Sequence, residues 1–354
     1  MSQDFHIDEM RSISEMLEDQ QLLLDPASPN GNDQYWIQNY LPLGSSQYVA
    51  LLDRQVVSYL IEAISAPTLI GHPADIRLRQ VAGLQAFLSA TNTISEPGLA
   101  YNEYADTQGL LSADSELSKF RTADELSFYV WRDLAESKRD YVLTPFLRRF
   151  STGQILAARR NDRVMHFEYN LTIVKKALLI KLSGNSGCTA MLELLDWMHS
   201  DYLSTTPSIF FFALYFSEKR VSGMLKGSSD KEARNAAWDI CFLQQWRSNE
   251  TGIECNRMFL ATFDRALRLL ATLMFPKEGE FVDDYMSGIR EFLIDVYGRR
   301  TGNGRRVYER FIRLQKEVDD PSRAHNQEGN KNNHDFVLQV RATIDEEFSA
   351  RAAV

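Results

Sequence analysis

The fold of this chain is decided by residues 47–61, QYVALLDRQVVSYLI. Tyr48–Leu52 is an uninterrupted apolar run of strand length, and Asp53 ends it. Apolar residues then recur at helical spacing, at Val56, Val57, Leu60 and Ile61. A strand without polar alternation is typical of a central parallel strand covered by helices on both faces. Ligands of such sheets bind beyond the carboxyl ends of the strands, which is where Asp53 lies.

The composition is that of an ordinary globular protein. The 354 residues are 44% hydrophobic and 25% charged, with a net charge of -9. This balance argues against general coating of nucleic acid but permits a local basic patch. Three cysteines without metal-ligand spacing indicate reduced thiols in a cytosol. No signal peptide is evident, and no apolar run approaches the roughly 18 residues of a membrane span, so we expect a cytoplasmic protein.

Periodicity divides the chain into short α/β segments and long helical segments. The N-terminal part predicts a helix over 7–24, a linker over 26–33, a strand and helix over 47–65, a helix over 75–90, an extended segment over 91–97, a helix over 99–105 and a loop over 106–112. Residues 113–227 predict successive helices. The remainder predicts a helix over 231–247, a strand over 257–262, helices over 265–275, 281–297, 307–318 and 335–350, and a mobile polar segment over 321–333.

These segments suggest an α/β core interrupted by helices. We expect an N-terminal helix and linker (1–46), the first part of the core (47–112), a helical insertion (113–227), the second part of the core (228–276) and a helical C-terminal extension (277–354).

Acidic residues follow the strand-like segments. Asp53 follows the first, and Asp264 comes shortly after the segment RMFLAT. If the two strands are parallel neighbours, these carboxylates converge at one edge of the sheet. Glu103 and Asp239 lie in helical segments, and apolar residues flank Asp239 on both sides. An acid among such neighbours is costly to bury unless it is paired or bound to metal.

Crowded carboxylates repel and raise one another's pKa values. A divalent cation such as Mg²⁺ or Mn²⁺ removes that conflict, because carboxylate oxygens and water are its preferred ligands. Such an ion can activate water for in-line attack on a phosphate. The pattern therefore predicts metal-dependent hydrolysis of a phosphodiester.

Four motifs carry a resemblance to the PIN-domain nucleases. The segment YVALLDRQVVSYLI resembles their first strand and helix, which read as an apolar run, Asp, Thr or Ser, Asn, then apolar residues and Ser. ISEPGLAYNEYA resembles the second motif and places Glu103 at its acid. AAWDICFLQQW and FLATFDRALRLLA resemble the third and last motifs and place Asp239 and Asp264. The order Asp–Glu–Asp–Asp agrees with that of VapC-type toxins.

The resemblance implies a PIN-like parallel sheet flanked by helices and a metal-dependent endoribonuclease activity. Asp53, Glu103, Asp239 and Asp264 would be the ligands of Mg²⁺ or Mn²⁺, and a metal-bound water would be the nucleophile. It further suggests a toxin or defence effector with an RNA substrate, an inhibitor or antitoxin protein as partner, and self-association into a homo-oligomer.

Two departures from the family pattern leave a rival interpretation. Arg54 and Gln55 replace the usual small hydroxyl residue and Asn, and the helical insertion 113–227 is far longer than in a small PIN toxin. The rival is a catalytically inactive PIN-like interaction protein, in which the Arg54 guanidinium takes the place of the cation.

Each predicted ligand also has a purely structural interpretation. Asp53 and Asp264 each precede a predicted helix and would serve as N-caps. Glu103 could be a solvated helix acid, with Glu96 or Asp106 as the ligand. Asp239 could instead form an ion pair with Arg234 or Arg247.

A basic segment, YGRRTGNGRRVYERFIR at 297–313, is the candidate nucleic-acid contact. Its candidate phosphate-binding residues are Arg299, Arg300, Arg305, Arg306 and Arg310. Tyr297 and Tyr308 could stack on bases. The structural alternative is a solvated helix face whose arginines pair with Glu309 and Glu317.

Overall fold

The structure is a computed structural model. It describes residues 10–26, 48–142, 153–217, 224–225, 227, 229–248, 257–276, 280–330 and 333–352, and for 153–165 and 351–352 it describes the backbone alone. Most of the predicted linker 26–33 and the thiol of Cys255 therefore lie outside the described residues.

A four-stranded, mostly parallel sheet is described, formed by β1 (Leu23–Leu24), β2 (Tyr48–Leu52), β3 (Ile94–Glu96) and β4 (Arg257–Ala261). The strand order is β1-β4-β2-β3. Strand β2 pairs in parallel with β3 on one side and with β4 on the other, whereas β1 is antiparallel to β4. Val49, Ala50, Leu51 and Leu52 are fully buried, as expected of a central strand.

The chain divides into two compact units. The first comprises 1–161 and 245–263, and the second comprises 162–244 and 264–354. The sheet belongs to the first unit. The boundary between the units falls inside the predicted helical insertion 113–227. Its residues up to 161 belong to the sheet unit, and its residues from 162 onward belong to the second unit.

Helices cover the sheet unit and form the second unit. Those that begin in the first unit are α1 (Arg11–Gln20), α2 (Arg54–Ser65), α3 (Asp75–Ala90), α4 (Gly98–Gln108), α5 (Leu110–Asp124), α6 (Phe128–Ala135) and α7 (Gly153–Leu182). The others are α8 (Gly187–Ser200), α9 (Thr206–Phe216), α10 (Asp230–Ser248), α11 (Arg265–Ala271), α12 (Val282–Tyr297), α13 (Asn303–Lys316) and α14 (His334–Ala352). No described helix is both long and apolar enough to span a bilayer.

The mixed α/β class is confirmed, and three local predictions are wrong. Leu23–Leu24 belongs to a strand instead of the first helix. The predicted loop 106–112 is helical apart from Gly109, whose φ of 85° separates α4 from α5. In the predicted mobile segment, Arg323 is buried and donates hydrogen bonds to the carbonyl oxygens of His199 and Val318.

Candidate carboxylate site

Asp53 lies at the carboxyl end of the central strand. Its backbone N–H donates to the carbonyl of Ala261 at 3.0 Å, which continues the pairing of β2 with β4. Its carboxylate accepts a hydrogen bond from the N–H of Val56 at 2.9 Å, so the N-cap interpretation is confirmed. The residue is buried. A cap bond occupies only part of a carboxylate, so capping does not exclude a second role.

Glu103 is brought to Asp53 by the strand on the other side. Helix α4 begins just after β3, the parallel neighbour of β2. Burial and, to a smaller extent, the nearby charge of Asp53 raise the pKa of Glu103 from 4.5 to about 7, and the charge of Arg54 opposes this shift. The structure thus places two of the predicted ligands together. Their crowding is the electrostatic conflict that the sequence predicted.

Glu96 and Asp106, the two alternative ligands near Glu103, differ from it in burial and in hydrogen bonding. Glu96 is the last residue of β3, is buried, and accepts a hydrogen bond from the N–H of Gly98 at 3.0 Å. Asp106 is exposed, and its charge contributes to the raised pKa of Glu103. Glu103 is partly buried, and the charge of Asp53 raises its pKa. It therefore remains the candidate ligand among the three acids.

Arg54 is held beside this pair by residues that the motifs did not single out. Its Nη2 lies 2.8 and 2.9 Å from the two carboxylate oxygens of Glu116 on α5. Its guanidinium lies over the ring of Tyr104, 4.0 Å from the centroid. Its Nη1 is buried and finds no hydrogen-bond acceptor among the described residues. Glu116 carried no local signal, since it is 62 positions from Arg54 in the sequence.

The other two predicted ligands belong to the second unit. Asp264 accepts hydrogen bonds from the N–H groups of Ala266 at 2.6 Å and Leu267 at 3.0 Å, so it is the N-cap of α11. Asp239 lies half-buried on α10. The four acids are therefore divided, with two in each unit.

The chemistry of the first pair fits a hard divalent cation. Asp53 and Glu103 offer carboxylate oxygens, and Mg²⁺ is commonly held by one or two carboxylates together with water and substrate phosphates. Within the described ranges, no three His, Cys, Asp or Glu side chains form a group placed to hold a metal ion.

Most arginines of the basic segment are already paired. Arg299 lies 4.0 Å from Asp295, Arg305 lies 2.9 Å from Glu309, and Arg310 lies 2.5 Å from Asp196. The predicted contact of this face with Glu317 is also present, through Arg313 at 3.0 Å.

Three further residues of the basic segment differ from these pairs. Arg300 and Arg306 are exposed, and neither forms an ion pair within the described part of the chain. Tyr297 is only 8% exposed, so the expectation that it stacks on a base is wrong.

The comparisons with known proteins add no relative. No protein-family model, curated protein or solved structure matches this chain.

Proposed function

We propose that the first unit hydrolyses phosphodiester bonds at a Mg²⁺ or Mn²⁺ site held by Asp53 and Glu103. By the PIN-like resemblance, the substrate is RNA. The observation that carries this proposal is the sheet topology, because Asp53 directly follows β2 and Glu103 lies on the helix that follows the parallel neighbour β3. Parallel strands present their carboxyl ends at one edge, which is the usual ligand site of such sheets.

The side chains of this edge have distinct tasks in the proposed reaction. A bound divalent cation would supply an activated water and neutralise charge on the phosphate. Asp53 is held in place by its bond from the Val56 N–H, so its carboxylate is oriented before any ligand arrives. Glu103 loses its proton near neutral pH and then completes the negative pair.

Arg54 contributes a fixed positive charge beside the two acids. Its guanidinium is bound to Glu116 through Nη2 and lies over the ring of Tyr104. In the proposed reaction, this charge would attract a substrate phosphate to the same edge of the sheet. Asp239 and Asp264 remain sequence-based predictions of further ligands.

The rival function, an inactive interaction protein, requires Arg54 to replace the cation. Arg54 lies close enough to Glu103 for its positive charge to oppose the rise in the pKa of Glu103, and this closeness favours the rival. However, the guanidinium forms its ion pair with Glu116, and Glu103 forms no ion pair with any described residue. The charge of Arg54 is thus already balanced elsewhere, which supports the enzyme.

A cleavage assay on total RNA tests the proposal. We expect cleavage with Mn²⁺, none with EDTA, and a loss of at least about 100-fold in Asp53→Asn and Glu103→Gln, since even residues that only support metal ligands change activity by roughly 10–100-fold. Asp283→Asn, which neutralises an exposed acid on α12, is the matched control and should stay active.

Calorimetry with Mn²⁺ separates the two functions. Binding by the parent chain that is lost in Asp53→Asn supports the enzyme. Cleavage that persists in EDTA or in both acid variants contradicts it, and an absence of Mn²⁺ binding together with an absence of cleavage favours the interaction protein.

A further inference from the structure

Three helices of the first unit meet around the guanidinium of Arg54. Helices α2, α4 and α5 contact one another. Arg54 is the first residue of α2, and its Nη2 lies 2.8 and 2.9 Å from the two carboxylate oxygens of Glu116 on α5. Tyr104 on α4 presents its ring to the guanidinium, 4.0 Å from the ring centroid. The hydroxyl of Tyr101, also on α4, donates to the backbone carbonyl of Glu116 at 3.3 Å, which holds this part of α5 against α4.

The two candidate metal ligands are the chain neighbours of this contact. Asp53 directly precedes Arg54, and Glu103 directly precedes Tyr104. A guanidinium that lies over the Tyr104 ring is therefore one residue along the chain from each carboxylate. The charge of Arg54 opposes the rise in the pKa of Glu103, which agrees with this placement. The long arginine side chain has several rotatable bonds, so its partner is a matter of choice between nearby carboxylates.

Glu116 is the partner that Arg54 has in the structure. The side chains of the two residues are 20% and 15% exposed, and the described residues give Arg54 no second ion pair. A charge so far removed from water needs a counter-charge. Without the carboxylate of Glu116, those of Asp53 and Glu103 are the alternatives that adjoin the guanidinium. Carboxylate oxygens that bind a guanidinium are no longer available as ligands of a cation.

We propose that Glu116 is a positioning residue of the carboxylate site, which keeps the Arg54 guanidinium off Asp53 and Glu103 and leaves both acids open to a divalent cation. This role rests on the proposed function, because it concerns the same cation. Glu116 acts through Arg54 and touches neither the cation nor the substrate. Neutralising Glu116 should therefore convert the site to the rival state, in which the guanidinium takes the place of the cation.

Calorimetry with Mn²⁺ in two backgrounds tests this role. In the parent chain, Glu116→Gln should lower the affinity for Mn²⁺ by about tenfold or more, the scale found for residues that support metal ligands. Glu116→Met also removes the hydrogen-bond acceptor and should lose at least as much. In an Arg54→Gln background, Glu116→Gln should cause no loss, because there is no guanidinium left to hold. If Glu116 acted only through its own negative charge, the loss would be equal in both backgrounds, and this result would overturn the proposal.

Asp124→Asn is the matched control. Asp124 also lies on α5 and also pairs with an arginine, since its Oδ2 is 3.2 Å from Nη1 of Arg121. The substitution removes the same charge from the same helix and breaks an ion pair, but it leaves Arg54 with its partner. The affinity for Mn²⁺ should equal that of the parent chain. A loss as large as that of Glu116→Gln would show that any weakening of α5 disturbs the site, and would overturn the specific role of Glu116.

Unfolding in urea without metal follows the guanidinium itself. At about pH 8, above the pKa of Glu103, both candidate ligands are ionised in the parent chain. Replacing them together, by Asp53→Asn and Glu103→Gln, relieves their repulsion there. In the Glu116→Gln background, the same pair of substitutions removes the new partners of Arg54 and should lower the unfolding midpoint relative to that background. Equal shifts of the midpoint in both backgrounds would contradict the relocation of Arg54.

The two measurements separate this role from the proposed function. An absence of Mn²⁺ binding by the parent chain overturns the proposed function, and the urea comparison then decides the position of Arg54 alone. Mn²⁺ binding by the parent chain, with equal losses in the two backgrounds, leaves the proposed function standing and overturns the role of Glu116.

Discussion

Arg54 and Glu116 form a two-pronged ion pair in which one guanidinium nitrogen contacts both carboxylate oxygens, at 2.8 and 2.9 Å. Both side chains are largely buried, with 20% and 15% exposure. The pair joins the start of α2 to the middle of α5. It therefore holds the residue after Asp53 in a fixed position.

Breaking this pair should destabilise the first unit. Arg54→Met leaves the Glu116 carboxylate buried and unpaired, which should cost about 2–4 kcal/mol. Glu116→Gln should cost less, because it leaves a neutral partner. The double variant should cost less than the sum of the singles by about 1–3 kcal/mol, as expected for residues in direct contact. Urea unfolding of all four proteins measures this coupling, and strictly additive costs would contradict the geometry.

The raised pKa of Glu103 predicts a pH dependence of stability without metal. An acid whose pKa is raised on folding, here from 4.5 to about 7, binds its proton more tightly in the folded chain. Its stabilising contribution is full below pH 4.5 and is lost as the pH rises through 7. The difference is at most about 3.5 kcal/mol, since the shift is about 2.5 pKa units and one unit corresponds to about 1.4 kcal/mol.

Two thermal melts check this pH dependence. In the parent chain, the melting temperature should fall between pH 5 and pH 8. Glu103→Gln should show a smaller fall over the same interval, because it has no proton to lose. Identical pH profiles for the two proteins would show that Glu103 titrates normally.

Asp264 offers a direct comparison of capping with metal binding. Asn caps a helix as well as Asp does, so Asp264→Asn should keep the stability of α11, whereas Asp264→Ala should lose about 1 kcal/mol. If the sequence-predicted role as a metal ligand is correct, both variants lose RNA cleavage. If Asp264 is only the cap that the structure shows, the Asn variant keeps full activity. Denaturant melts and the cleavage assay together decide between these roles.

Gly304 and Gly288 form a matched pair of helical glycines. A Cβ on Gly304 would lie 2.4 Å from the backbone of Leu293 and Ile294, so Gly304→Ala must push α13 away from α12. We expect a loss of about 1–3 kcal/mol, the scale of overpacking. A Cβ on Gly288, within α12, meets nothing within 4 Å, so Gly288→Ala should stabilise by about 0.5–1 kcal/mol. Equal effects of the two substitutions on the melting temperature would argue against this close helix contact.

Much of the local structure could be predicted from the sequence. The central strand, the helix over 75–90 and the strand that begins at Arg257 appear as the periodicity predicts, with boundaries within about one residue. The prediction succeeds because hydrophobic period and capping are properties of neighbouring residues. The pairing of the two acid-bearing strands was a conditional expectation, and the parallel register of β2 with β4 confirms it.

Other features depended on residues that are distant in the sequence. Leu23–Leu24 is too short to specify a strand, and it becomes one because β4 provides hydrogen-bond partners. Arg323 lies in a polar stretch, yet it is only 4% exposed, because it donates to carbonyl groups at the end of α8 and to the carbonyl of Val318, just beyond α13.

The sequence by itself therefore determined where β2, α3 and β4 lie and which acids follow β2 and β4, because these features follow from local pattern. Only the tertiary structure decided that Glu103 shares the environment of Asp53, that Glu116 takes the charge of Arg54, and that Tyr297 is buried. A burial or a pKa depends on what the fold places around a side chain, and those neighbours come from remote parts of the chain.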